Sequence, residues 1–355
     1  MSRSFERTNE LFSIRWEDGK VIFIDQTKLP SDLVFVETTS YERIAEAIKR
    51  LEVRGAPLIG VAAALALALV AYHSKGEGAE ELLKELEKAA AHLKKTRPTA
   101  VNLFWALDTV LAEARRASSL GLDVRKAVVE KALSIMEADV ETNRRIGQIG
   151  SSLIEDGDNV MTICNAGALA TVAYGTALSV IRFAWYQGKN IHVFVPETRP
   201  LLQGSRLTAW ELSYEGIPYT LITDNMAGYV FSKYKVDKVV VGADRILKDG
   251  TTYNKIGTYT IAVLARHHKV PFYVAAPSTT FDLESKVDDV VIEERSREEV
   301  LKIGGTYIAP RDANVLNPAF DMTPPEYIAA FITEKGIVKP PFEENIAKTV
   351  GGARE

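Results

Sequence analysis

Residues 160–164 read VMTIC, a run that ends on the chain's single cysteine, Cys164. Runs of the same kind follow at 191–195 (IHVFV), 219–223 (YTLIT), 238–243 (KVVVGA), 271–276 (PFYVAA) and 289–294 (DVVIEE), and the segments between them are long enough to hold helices. Short runs rich in Val and Ile suit strands buried on both faces, and strands alternating with helices imply parallel pairing through right-handed crossovers. The pattern predicts a Rossmann-like domain with a mostly parallel sheet. Several runs lead straight into polar or reactive groups: Cys164-Asn165, Glu197-Thr198-Arg199, Asp224-Asn225 and Asp244-Arg245. Ligands of open α/β sheets bind beyond the carboxyl ends of the strands, so these groups are expected to converge on one crevice.

Upstream of residue 159 the apolar spacing becomes that of helices. WEDGKVIFID at 16–25 alternates around Asp-Gly-Lys as a hairpin does, and helical patterns follow at 41–51, 57–72, 80–94, 100–117 and 123–155. The expectation is an α/β protein: a mainly helical N-terminal domain with a small β-hairpin region at 1–130, then a Rossmann-like catalytic domain at 131–355. The apolar stretch LIGVAAALALALVAY, starting at Leu58, is shorter than the ~20 residues a bilayer crossing needs. It reads as a buried core helix, and no membrane association is expected.

Composition narrows the class. The 355 residues exceed one typical domain, and 46% hydrophobic with 25% charged side chains is ordinary for a soluble globular chain. With 43 basic against 47 acidic groups the net charge is -4, which leaves no basic excess to neutralise a nucleic-acid backbone. One cysteine and five histidines rule out an intrachain disulfide and offer no zinc-type cluster, which fits a reducing, cytoplasmic setting and no metal. The first ten residues are polar and lack the apolar core of a secretory signal. A phosphate-binding G-x-x-x-x-G-K-[ST] loop, a G-x-G-x-x-G after the first strand and a G-x-S-x-G elbow are all missing from the sequence. A nucleotide cofactor and a serine hydrolase are therefore disfavoured. His267-His268 reads as cationic complement to a helix C-terminus rather than as a metal site, and Trp105 and Trp210 read as core.

The motifs VRGAPLIGVAAA from Val53, TRPTAVNLFWAL from Thr96, CNAGALATVAYGTALSVI from Cys164, ETRPLLQGSRLTAWEL from Glu197, ITDNMAG from Ile222, VGADRI from Val241 and NKIGTY from Asn254 follow one another in order. Together they closely resemble the methylthioribose-1-phosphate isomerase family, which shares its fold with ribose-1,5-bisphosphate isomerases and with regulatory subunits of the translation-initiation guanine-nucleotide exchange factor. The resemblance runs from about Trp16 to Pro340. It implies a homodimeric aldose–ketose isomerase of methionine salvage that converts 5-methylthioribose 1-phosphate into 5-methylthioribulose 1-phosphate without an added cofactor. It makes Cys164 and Asp244 the catalytic groups, and Arg54, Gly55, Ala56, Arg97, Gln203, Asn254 and Lys255 the contacts to the sugar phosphate. One position departs from the family: an acidic or amide-bearing residue is usual before Glu197, and here it is Pro196.

The physical chemistry of these residues agrees with the roles but does not compel them. A carboxyl group at a partly desolvated strand end can exchange protons near neutrality, yet Asp244 could equally cap a turn or pair with Arg245. A thiol at a helix N-terminus is stabilised as thiolate, yet a lone cysteine can also be a small buried apolar residue. Arginine matches phosphate geometry and Gly55 admits an anion close to the backbone; the alternatives are surface ion pairs and a simple helix entry ahead of Pro57. Because Arg54 and Arg97 come from the helical part, the site is expected between the domains. Asp224 could orient the catalytic carboxylate or cap the next helix, and Arg199 could serve a second phosphate or pair with Glu197. Three functions are thus in play: the methylthioribose-phosphate isomerase, a ribose-1,5-bisphosphate isomerase of nucleotide recycling, and a non-catalytic translation-regulatory subunit.

Overall fold

The computed structural model describes residues 11–76, 78–98 and 100–351; the first ten, read above as carrying no export signal, lie outside the described residues. The described chain divides into two compact units, one holding its residues from 11 to Arg144 together with Gly167–Gly175, the other Arg145–Ala166 together with the described residues from Thr176 onward.

In the first unit, β1 (Ile14–Glu17) and β2 (Lys20–Ile24) pair antiparallel with Glu17 opposite Lys20. Asp18 and Gly19 turn the chain with φ of 44° and 81°, the positive pair that matches the twist of a two-residue hairpin. A third strand, β3 (Phe35–Thr38), joins β2. The helices are α1 (Tyr41–Lys49), α2 (Ala56–His73), α3 (Ala79–Lys94), α4 (Val101–Ser119) and α5 (Val124–Gly150). Ser40 begins α1 by accepting the Arg43 amide at 3.2 Å. Leu58 through Leu69 of α2 are all buried, with α1, α3 and α4 packed around them, so the all-round apolar stretch is the centre of a helical core. Trp105, expected in that core, is 46% exposed on α4.

Helix α5 contains both the expected boundary at residue 130 and the division at Arg144. On its helical-unit part, Asp139 accepts the Val172 amide at 2.7 Å. Burial pushes that carboxyl up to about 7, against the lowering effect of hydrogen bonds from Val172 and Asn143. Segment 167–175 is thereby tied to the helices, and Gly55 lies against Ala170 of the same segment.

The second unit carries β4 (Asn159–Met161), α6 (Ala177–Tyr186), β5 (His192–Pro196), α7 (Ala209–Glu215), β6 (Tyr219–Ile222), α8 (Ala227–Lys233), β7 (Lys238–Val241), β8 (Arg245–Leu247), β9 (Thr252–Lys255), α9 (Thr258–His267), β10 (Phe272–Ala275), β11 (Phe281–Asp282), α10 (Glu298–Leu301), β12 (Lys302–Ile303), β13 (Thr306–Tyr307), β14 (Phe320–Thr323), β15 (Ala330–Thr333), β16 (Gly336–Val338) and α11 (Phe342–Val350). Seven strands form the main sheet in the order β16-β15-β10-β7-β4-β5-β6, parallel throughout except for β16. A smaller sheet has the order β11-β8-β9-β14. Alternate residues of the main strands enter opposite cores: Met161, Phe194, Val239, Val241, Val274 and Phe331 pack with α8 and α9, whereas Val160, Val193, Val195, Val240, Ala275 and Ile332 pack with α6. Burial on both faces explains why these strands read as continuous apolar runs.

The run DVVIEE, expected as a further strand, is not one. Its middle residue Val291 is 81% exposed and only Glu294 makes a bridge, to Pro318. The chain order reverses between β4 and β7: β5 and β6 lie on one side of β4, and β7, β10 and β15 lie on the other. Such a switch point opens a crevice at the carboxyl ends of the two strands it separates.

Candidate active site

Cys164 lies three residues past the end of β4, and Asp244 three past the end of β7. The two expected catalytic residues therefore leave the two strands that flank the switch point. Glycine at 242 lets the loops approach, since a Cβ there would stand 2.8 Å from the Cβ of Ala166.

The expectation that Cys164 begins a helix is not met. After β4 the chain runs irregularly to a single 3₁₀ turn at Ala168–Ala170, and α6 starts only at Ala177. Cys164 instead has a left-handed backbone, φ 59°, and is 8% exposed. Its peptide groups are held on both sides: the Cys164 N–H donates to Thr198 Oγ1 at 2.9 Å, and its carbonyl accepts from Thr208 Oγ1 at 2.5 Å. Thr198 is also left-handed, φ 63°, a rare conformation for a β-branched residue that persists only where its surroundings enforce it. Asp224 supplies the enforcement by accepting the amides of Thr198 at 2.7 Å and Arg199 at 2.6 Å. It thus clamps the loop that leads from β5 into the π-helical turn at Gly204–Thr208.

Beneath the thiol loop, Asn165 Nδ2 donates to Glu211 Oε1 at 2.8 Å, and Arg182 Nη2 pairs with Glu211 Oε2 at 3.0 Å. Although burial opposes its charge, Glu215 and Glu211 hold the Arg182 guanidinium above its ordinary value. This buried ionic group anchors α6 to α7 and braces Asn165.

Asp244 is half-buried, and its N–H donates to the Tyr253 carbonyl at 2.9 Å. Arg245 pairs with Asp282 at 3.3 Å, which assigns the alternative salt bridge to a different carboxylate. Asn254 is buried and donates from Nδ2 to Thr258 Oγ1 at 3.0 Å, while Lys255 Nζ reaches the Ala319 carbonyl at 2.8 Å. Asp321 accepts the Gly257 amide at 2.7 Å and the Tyr259 amide at 3.2 Å, so it caps α9 beside Lys255. Burial pushes the Asp321 carboxyl up to about 6, against those amides and the Lys255 charge. Gly257, with φ 101°, turns the chain within contact of Ile163. Gln203 is 7% exposed, and its Oε1 has no hydrogen-bond partner among the described residues, the condition of an acceptor that awaits a ligand or water. Cys164, Gln203 and Asp244 thus follow β4, β5 and β7, and Asn254 and Lys255 end β9, all in this unit.

Arg54, Gly55, Ala56 and Arg97 belong to the helical unit. Gly55 precedes α2 with φ 102° and ψ 135°, and a Cβ there would lie 2.6 Å from the backbone of Ala170. Both facts require glycine. Arg54, Gly55 and Ala56 enter the amino end of the 18-residue helix α2, where free amides and the helix dipole favour an anion. Arg97, also half-buried, lies between α3 and α4. Among the described residues no group of three or more His, Cys, Asp or Glu side chains is placed to hold a metal ion.

The sequence profile of the initiation factor 2 subunit family, IF-2B, matches residues 52–340. The chain belongs to this family. Among IF-2B relatives, the methylthioribose-1-phosphate isomerase of Desulforamulus reducens is 51% identical over 95% of this chain and 98% of its own. The crystal structure of 5-methylthioribose 1-phosphate isomerase from Pyrococcus horikoshii superimposes with a TM-score of 0.92 at 45% identity, covering 97% of each chain. A second IF-2B structure, the translation initiation factor eIF-2B subunit delta from A. fulgidus, is 52% identical with a TM-score of 0.87, covering 96% of this chain and 99% of its own. The resemblance read from the motifs is therefore carried by the whole chain.

The sequence reading missed Thr198, Thr208 and Asp321, and left the role of Asp224 open. Arg199 donates to the carbonyls of Pro200 at 2.9 Å and Val300 at 2.8 Å, rather than to Glu197.

Proposed function

We propose that this IF-2B chain is an aldose–ketose isomerase that converts 5-methylthioribose 1-phosphate into 5-methylthioribulose 1-phosphate. The observation that carries the reading is the placement of Cys164 and Asp244 after the two strands of the switch point, in a chain about half identical along its length to isomerases of that name. The C1 phosphate locks the sugar ring, because the anomeric carbon has no free hydroxyl from which to open. Isomerisation requires a proton delivered to the ring oxygen as the C1–O bond breaks, transfer of the C2 hydrogen to C1, and loss of the C2 hydroxyl proton. One proton enters and one leaves, so the reaction needs no external oxidant or reductant. Asp244 and Cys164 are the two protic groups proposed for these tasks, the thiol acting at the ring oxygen by protonating or polarising it. Arg54, the Gly55-Ala56 amides, Arg97, Asn254 and Lys255 bind the phosphate and sugar, and Gln203 Oε1 accepts a sugar hydroxyl.

The engagement of Arg199 with backbone carbonyls favours this substrate over ribose 1,5-bisphosphate, whose second phosphate would call for a further cation. A site that holds a methylthio group against apolar side chains would bind a phosphate there at a cost of several kcal/mol, about 100-fold or more in kcat/KM. Side-by-side kinetics with both sugars tests the assignment. Preference for the methylthio sugar is the expected result, and preference for the bisphosphate overturns it. We place the enzyme in the cytoplasm as a homodimer, on the reading of its cysteine usage and family resemblance; sedimentation at micromolar concentration checks the oligomer.

A further inference from the structure

Two consecutive loops of the second unit place non-glycine residues in the left-handed region, Cys164 at φ 59° and Thr198 at φ 63°, and one hydrogen bond joins them. We propose that Asp224 is a positioning residue for Cys164 that acts through Thr198. The proposal rests on the reading of Cys164 as a catalytic group. Both oxygens of the Asp224 carboxylate are committed to successive backbone amides, Oδ1 to Thr198 and Oδ2 to Arg199, and this bidentate hold fixes the peptide plane between those residues. The held backbone aims Thr198 Oγ1 so that it accepts the Cys164 N–H at 2.9 Å while donating to the Pro196 carbonyl at 3.2 Å. Thr208 Oγ1, at the end of the π-helical turn that this loop enters, donates to the Cys164 carbonyl.

The loop is compressed at its base. A Cβ on Gly204 would meet the Pro196 carbonyl oxygen at 1.8 Å, so segment 197–204 closes on itself and transmits the position of Asp224 to both threonines. Pro196 contributes a carbonyl acceptor to this arrangement, whatever side chain other family members carry there. A side chain from β6's carboxyl end thereby sets the backbone that carries the thiol at β4's carboxyl end, across the intervening strand β5. The Asp224 side chain makes two backbone contacts that a helix cap alone would not need, since both amides belong to another loop.

A double-mutant cycle on the full-length protein separates positioning from simple support of the fold. Asp224→Asn retains one acceptor oxygen and loses the other. It is expected to lower kcat about tenfold or more while KM for 5-methylthioribose 1-phosphate stays within about threefold. In a Cys164→Ser background the same substitution should cost less than about threefold, because the group it positions is already gone. Thr198→Val should reproduce the loss and Thr198→Ser, which keeps the acceptor, should restore most of it; this pair completes the same cycle if Asp224→Asn fails to fold. Equal losses from Asp224→Asn in both backgrounds, or wild-type kcat in Thr198→Val, overturn the proposal. Wild-type turnover in Cys164→Ser alone identifies the separate failure of the catalytic reading, on which the proposal then falls too.

Discussion

Replacing Gly242 by alanine tests whether the loops that bear Asp244 and Cys164 must approach as closely as they do. The new Cβ would stand 2.8 Å from Ala166 Cβ and 3.4 Å from Thr176 Oγ1, whereas carbon atoms settle about 3.5–4.0 Å apart. Gly242 lies outside the left-handed region, so the substitution adds little backbone strain and acts through this contact. Neither carbon can rotate away, because a Cβ moves only with its backbone. The loops must therefore part by about 1 Å. Overpacking on this scale costs about 1–3 kcal/mol of stability, and the protein should fold with a melting temperature lowered by several degrees. A displacement of about 1 Å between catalytic groups costs about 100-fold in turnover. The assay is kcat for 5-methylthioribose 1-phosphate, with circular dichroism and a thermal melt on the same sample. The expected signature is a large loss of kcat in a folded protein. Wild-type kcat in folded Gly242→Ala would refute the argument that the two loops form one catalytic centre.

Asp244→Asn should lower turnover about 100-fold or more, the scale of a lost general acid–base group, with an unchanged circular dichroism spectrum; near-normal turnover would remove Asp244 from the mechanism. Arg182→Met leaves the Glu211 carboxylate buried without its counter-charge and should destabilise the protein by about 3–5 kcal/mol, read from the urea midpoint; a shift under about 1 kcal/mol would mean that water already reaches this ionic group. Asp139 titrates in the folded protein at about 7, above its ordinary 3.8, so the folded state holds a proton that the unfolded chain releases. Its contribution to stability is complete below the unfolded value and is lost as pH rises through about 7. Asp139→Asn should flatten the fall in melting temperature between about pH 4 and 7, and an unaltered slope would exclude this carboxyl as its source.

The parts of the fold that could be read from the chain are those in which one force dominates. Helix α2 is apolar on every face because it is surrounded by helices, and the parallel strands are continuous runs of Val and Ile because both faces are covered. The smaller sheet escaped because β9 is the run TYNK, whose polar Thr252 and Asn254 are buried and so break the apolar pattern of a core strand. DVVIEE has strand composition without strand partners, which shows that propensity without a neighbour does not make a strand. The position of Cys164 and Asp244 just beyond two strands of the sheet was legible from the apolar runs they follow, whereas their proposed roles came only with the family resemblance. The clamp around Cys164 was not legible, because it depends on left-handed threonine and cysteine, and a sequence announces that conformation only when glycine supplies it. Gly204, seven residues past Glu197 in ETRPLLQG, was the one visible sign of a closely folded loop there.

The return of Gly167–Gly175 to the helical unit has a consequence for synthesis. A nascent chain that has emerged only as far as Arg144 contains all of α1 to α4 but lacks Val172, which is part of the helical core, and the amide that Asp139 accepts. Gly55 lacks its neighbour Ala170. The ribosome must expose β4 and the thiol loop before the first unit can be finished, so the two halves of this protein mature in an interleaved order rather than one after the other.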